Sequence, residues 1–126
     1  MNPFPTICSI LAEILDLDPA DITPETYVIR TLKAESIDLL EIGIAMQHRL
    51  GIAMDDDLLF LKTVRIVLNR AACENVEALT ALKSEYPYLT EPRLREILDA
   101  LSAGPVLQVR DLVAYAEAAT PAPAGN

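Results

Sequence analysis

Tryptophan is absent, histidine occurs once, cysteine twice and glycine four times in 126 residues. His48 alone is little material for acid–base or metal chemistry, and we expect it on the surface. Along one helix it lies about 18 Å from Ser36, at 1.5 Å per residue, too far for a nucleophile–base pair. Cys8 and Cys73 have no second Cys or His at metal-ligand spacing, so buried free thiols in a reducing cytoplasm are expected. Basic residues are also scarce. Ten Lys and Arg against 19 Asp and Glu leave a net charge of -9, which argues against nucleic acid or an anionic membrane as partner. Long apolar runs are missing too: LLFLKTVRIVL is interrupted by Lys62 and Arg65 and falls short of the roughly 20 residues needed to span a bilayer. MNPFPTICSILAEILDLD has no basic leading region, and acids break its apolar stretch, so a signal peptide is not expected. No alternation of period two is long enough for a strand.

What remains is a chain that is 52% apolar, with Leu, Ile, Ala and Glu recurring at helical spacing. This composition predicts a single all-α domain. Thr6 stands before Ile7, Ile10, Leu11, Ile14 and Leu15, the cap and stripe of a first helix. DPADITPET reads as an irregular loop running to about Glu35, with Ile22 anchored in the core. A second helix is predicted from Ser36 to Leu50, stopped by Gly51, and a third from about Leu58 to Cys73. In the third, Lys62, Arg65 and Asn69 form one narrow polar strip, so most of it should be buried. Asn75 is placed as the cap of a helix ending near Glu85, and Thr90 as the cap of LREILDALSA. Gly104-Pro105 ends that helix, VLQVRDLVAYAEAA forms the last one, and residues 121–126 should be a flexible tail.

The second helix carries two apolar sets. Leu39, Ile42, Met46 and Leu50 make an inward stripe, while Ile37, Leu40 and Ile44 make another that one buried face cannot accommodate. The second set is either the apolar centre of a transient interface or covered by the additional helices. The charge is unevenly placed as well: residues 1–61 hold 11 acids and 3 bases, residues 62–126 hold 8 and 7. Glu35, Asp38 and Glu41 flank Ser36, and such a face would steer basic protein surfaces. Asp55, Asp56 and Asp57 lack the spacing and glycine of a calcium loop. They are expected to cap the third helix and extend the acidic face. Taken alone, Ser36 reads as an ordinary N-cap.

Glu35, Ser36, Ile37, Asp38, Leu40, Glu41 and Ile42 resemble the modification site of acyl carrier proteins. Upstream, Ile22, Thr23, Pro24, Glu25, Ile29 and Leu32 resemble that family's loop; downstream, Leu50, Gly51, Ile52 and the aspartates resemble its approach to a third helix. The ITPET…SID spacing and the final DLVAYA are similar to the specialised carriers for very-long-chain acyl groups in rhizobial lipid A synthesis. The family usually has Gly at the position of Lys33, Asp at Glu35 and Leu at Ile37. The resemblance implies an acyl-carrier-like antiparallel helical bundle that is not an enzyme and has neither catalytic residues nor a metal. A 4'-phosphopantetheine on Ser36 would carry acyl groups as thioesters. Glu35, Ile37, Asp38, Leu40, Glu41, Ile44 and Asp55, Asp56 and Asp57 would dock its partners. These would be a phosphopantetheinyl transferase and acyltransferases, ketosynthases or acyl-activating enzymes with basic patches.

A cytoplasmic monomer in specialised fatty acid or lipid A synthesis is the leading expectation. The alternatives are polyketide, nonribosomal or ordinary fatty acid synthesis, or an unmodified helical interaction module. Two registers remain for the second half. In one, 58–104 is a helical insertion, and the family's core is 6–57 plus about 105–119 within a domain of residues 1–120. In the other, 73–126 is a C-terminal extension. The first is preferred; one continuous helix over 58–75 would support it, and a break near Lys62 would support the second.

Overall fold

The computed structural model describes residues 2–119; the tail expected at 121–126 lies outside the described residues. The described chain is all-α, with seven helices: α1 (Phe4–Leu15), α2 (Ser36–Leu50), α3 (Asp56–Leu59), α4 (Val64–Cys73), α5 (Ala78–Glu85), α6 (Glu91–Ala100) and α7 (Val109–Ala118). None is long and apolar enough to cross a membrane. The first helix starts before Thr6, because Asn2 Oδ1 accepts the Phe4 N–H at 3.1 Å and Pro5 is tolerated in the first turn. Its predicted stripe is inward: Ile7, Ile10 and Leu11 are buried. In the loop after α1, residues 19–21 form a short 3₁₀ turn behind the Asp18 side chain, and Ile22 is buried as the anchor. α2 has the expected limits, with Gly51 left-handed at φ 63°.

The helix expected over Leu58–Cys73 is divided. α3 ends with Leu61 left-handed at φ 55°, and the Lys62 N–H closes onto the Asp57 carbonyl at 3.0 Å, the six-to-one bond of a Schellman end. The break lets Leu59, Phe60, Leu61 and Val64 all turn into the core, which one straight helix could not do. Asn75 does not begin α5. It is left-handed at φ 57° and the Val76 N–H bonds the Ala71 carbonyl at 2.9 Å, so it terminates α4. Thr90 does cap α6, accepting the Arg93 N–H at 3.3 Å. α7 starts three residues later than the last helix predicted from Val106. The segment before it is extended: the Val28 N–H bonds Leu107 O at 3.1 Å, the Val109 N–H bonds Thr26 O at 3.0 Å, and Tyr27 pairs with Gln108.

Four helices close a ring, with α1 against α2 and α7, and α3 against α2 and α7, while α4, α5 and α6 stack in series on one another. A break near Lys62 is the feature tied above to a C-terminal extension. The ring brings α7 against α1 and α3. The two groups share one apolar core. They are also joined by a buried ion pair: Arg93 Nε and Nη2 each donate to the Asp111 carboxylate at 2.7 Å, and Nη2 donates to Val106 O at 2.7 Å. Tyr88 adds a second tie, stacking edge-on against Tyr115 at 5.3 Å and donating to Leu58 O. α4 is less covered than its sequence suggests. Ile66 is exposed, and Cys73 is exposed rather than buried.

Candidate functional site

Ser36 opens α2 but does not cap it. The residue at the cap position is Glu35, extended at φ -100°, ψ 173°, and its N–H donates to Asp38 Oδ2 at 2.8 Å, half of a reciprocal capping arrangement. Among the described residues no hydrogen bond engages the Ser36 hydroxyl, and Ser36 is exposed. Its Oγ therefore stands free beside the first-turn N–H groups of a 15-residue helix. Positive partial charge from the helix dipole at that end suits a phosphodiester, offsetting repulsion from Glu35 and Asp38. An exposed, unengaged hydroxyl at a helix start fits a covalently attached phosphate ester.

Beside it the two apolar sets of α2 separate. Leu39, Ile42 and Met46 are buried, whereas Ile37, Leu40 and Ile44 are 63%, 52% and 60% exposed. Covering of that second set by the additional helices does not occur. Glu35 and Glu41 are exposed around the stripe, and Asp38 is half-buried. The aspartates join the same face from α3. Asp55 Oδ1 accepts the Asp57 and Leu58 N–H groups at 3.1 and 3.4 Å, and a groove of about 480 Å³ runs from Leu40 and Ile44 to Asp55, Asp56 and Asp57. Tyr115 holds this corner from α7: its hydroxyl accepts the Asp55 N–H at 2.9 Å and donates to Ala53 O at 3.2 Å.

Several groove residues went unnoticed in the sequence. Gly43 is buried where α2 meets α3, and a Cβ there would sit 3.2 Å from Asp56 Oδ1. A glycine inside a helix costs up to about 1 kcal/mol against alanine, so its presence signals a close approach. Gln47 and Met54 also line the groove, with no signal beyond their neighbourhood. His48 is exposed, and Arg49 pairs with Glu13 on α1. Burial pushes the Cys8 thiol up, away from the thiolate form.

The family described as "Phosphopantetheine attachment site" matches residues 5–69, just over half of the chain. The chain belongs to the acyl carrier protein family. Acyl carrier proteins are carriers rather than enzymes, bear a covalent 4'-phosphopantetheine, and work with a phosphopantetheinyl transferase and biosynthetic enzymes. This carrier is similar to the meromycolate extension acyl carrier protein of Mycolicibacterium aurum, 29% identical over 84 residues, covering 64% of this chain and 87% of that one. It is 32% identical over 82 residues to the protein of the same name from Mycobacterium tuberculosis H37Rv, covering 62% and 71%. An acyl carrier protein of Helicobacter pylori G27 is 33% identical over 57 residues, covering 45% and 73%. No solved structure matches the chain significantly.

Proposed function

We propose that this carrier bears its arm on Ser36 and moves acyl intermediates of a specialised lipid pathway between cytoplasmic enzymes. One observation carries the site. The family match contains two serines, and only Ser36 is exposed at a helix start; Ser9 is half-buried in the middle of α1. When bound, the arm supplies a thiol that holds acyl groups as thioesters. The chain's own residues do the rest. Ser36 Oγ provides the ester oxygen, Glu35, Asp38, Glu41 and Asp55, Asp56 and Asp57 attract basic enzyme surfaces, and Ile37, Leu40 and Ile44 supply the apolar contact.

Relatives named for meromycolate extension favour a specialised long-chain role, lipid A or another unusual lipid. An ordinary fatty acid role is the second reading, since a relative named simply acyl carrier protein matches as well. For the architecture we propose that α7 is the closing helix and that α4 to α6 are inserted: the contacts of α7 with α1 and α3 support this register and outweigh the break near Lys62, which favours the extension. Co-expression with a phosphopantetheinyl transferase and intact-mass measurement should show one added arm, absent in Ser36→Ala. A mass gain that survives Ser36→Ala, or none with any transferase tried, would overturn the site.

A further inference from the structure

A second groove, of about 340 Å³, lies on the opposite side of α2 from the docking stripe. Leu39 lines it, one helical turn beyond Ser36, together with Ile29, Phe60, Leu61 and Val64. Its other wall is the turn after α6: Leu101, Gly104 and Pro105, leading into Val106 and Leu107. That turn lies outside the residues matched to the family. Two arginines clasp it. Arg30, from the loop before Ser36, donates through Nη2 to Ala100 O and Gly104 O at 3.0 Å each, and Arg65 on α4 donates to Leu101 O at 2.9 Å. Arg30 Nε, buried against Gly104, has no hydrogen-bond partner among the described residues. A buried N–H left unpaired is costly, a penalty on the clasped setting that a displaced turn would relieve.

We propose that the turn 101–105 is the gate that sets how long an acyl chain the groove shelters, with Arg30 and Arg65 as its clasps. The proposal rests on Ser36 as the attachment point. The occupant is the tethered acyl chain: the lining is apolar apart from Lys62 and Arg65, and each methylene removed from water favours the sheltered state by about fourfold. An apolar cavity of roughly 150 Å³ admits benzene, so this one holds about a dozen carbons. Chains beyond that length enter only if the turn yields. Leu61, left-handed on the facing wall, gives the groove a second strained edge.

The test loads the full chain with saturated acyl groups of increasing length, transferred with the arm from acyl coenzyme A by a phosphopantetheinyl transferase, and reads the melting temperature. Binding to the folded state raises it, so it should climb with chain length and level off near about twelve carbons. Arg65→Ala should move that ceiling to longer chains by about two carbons or more, and Leu101→Trp, which fills the groove, to shorter ones by a similar amount. Circular dichroism of the unloaded variants checks folding, and if Leu101→Trp does not fold, Arg65→Ala decides alone. A ceiling that stays put, or moves the other way, in a loaded and folded variant overturns the gate while leaving the carrier site intact. Failure to load Ser36 at all is a failure of the carrier site and takes the gate with it.

Discussion

At the scale of single residues, Lys33 shows most directly how this chain departs from its family. It is exposed and left-handed, at φ 63°, in the position where acyl carrier proteins usually have glycine. A side chain in that conformation costs about 1–2 kcal/mol, partly offset by the smaller entropy loss of lysine on folding. Lys33→Gly should therefore stabilise the protein slightly, by up to about 1 kcal/mol. Urea unfolding would report this as a raised midpoint with an unchanged slope. A lowered midpoint would mean that the lysine side chain makes stabilising contacts outweighing the strain. The departure was visible in the sequence by comparison with the family; its physical basis was not, because nothing in TLKAES announces a left-handed residue. Ser36 was legible as a helix start, yet its role as the first helical residue rather than the cap depends on Glu35 taking the cap position, a one-residue distinction that spacing cannot make.

At the scale of elements, helices with strong boundary chemistry were readable and those with tertiary boundaries were not. α2, with acids at its start and Gly51 at its end, lies where expected, and α6 starts behind Thr90 as expected but ends at Ala100, ahead of a 3₁₀ turn over 101–103. The break after α3 is made by a leucine in a conformation that glycine or asparagine normally signals, and the late start of α7 is imposed by pairing with residues 26–28. The turn between α5 and α6 has its own consequence. Tyr86 and Tyr88 are held there, the Tyr86 hydroxyl 2.7 Å from Thr63 Oγ1, and burial pushes both phenols up from 10.0. Phenols that ionise more readily unfolded than folded leave stability intact below about pH 10 and erode it above, as the unfolded chain loses protons first. Alkaline denaturation should thus begin near that pH, and Tyr88→Phe should flatten the decline. A slope unchanged by that substitution would show that Tyr88 is not a source of the alkaline loss.

At the scale of the whole molecule, the joint between the α4–α6 stack and the four-helix ring is electrostatic as well as apolar. Arg93 is 5% and Asp111 0% exposed, so removing one partner leaves a bare charge inside. Arg93→Met should cost about 3–5 kcal/mol. Arg93→Met combined with Asp111→Asn should recover most of that, because a neutral amide can still accept the Gln108 N–H that Asp111 now takes at 2.8 Å. A double-mutant cycle by chemical denaturation measures the coupling, and equal losses in the single and double variants would count against it. Neither partner stood out in the sequence: Arg93 and Asp111 lie 18 positions apart and look like two ordinary surface charges of a helical protein, their pairing visible only once α6 and α7 are side by side. Anyone trimming this protein to a minimal carrier meets the same joint as a design constraint. Cutting out α4 to α6 would strip Asp111 of its counter-charge in the first turn of α7, so a shortened version has to carry a neutral residue at position 111 from the outset.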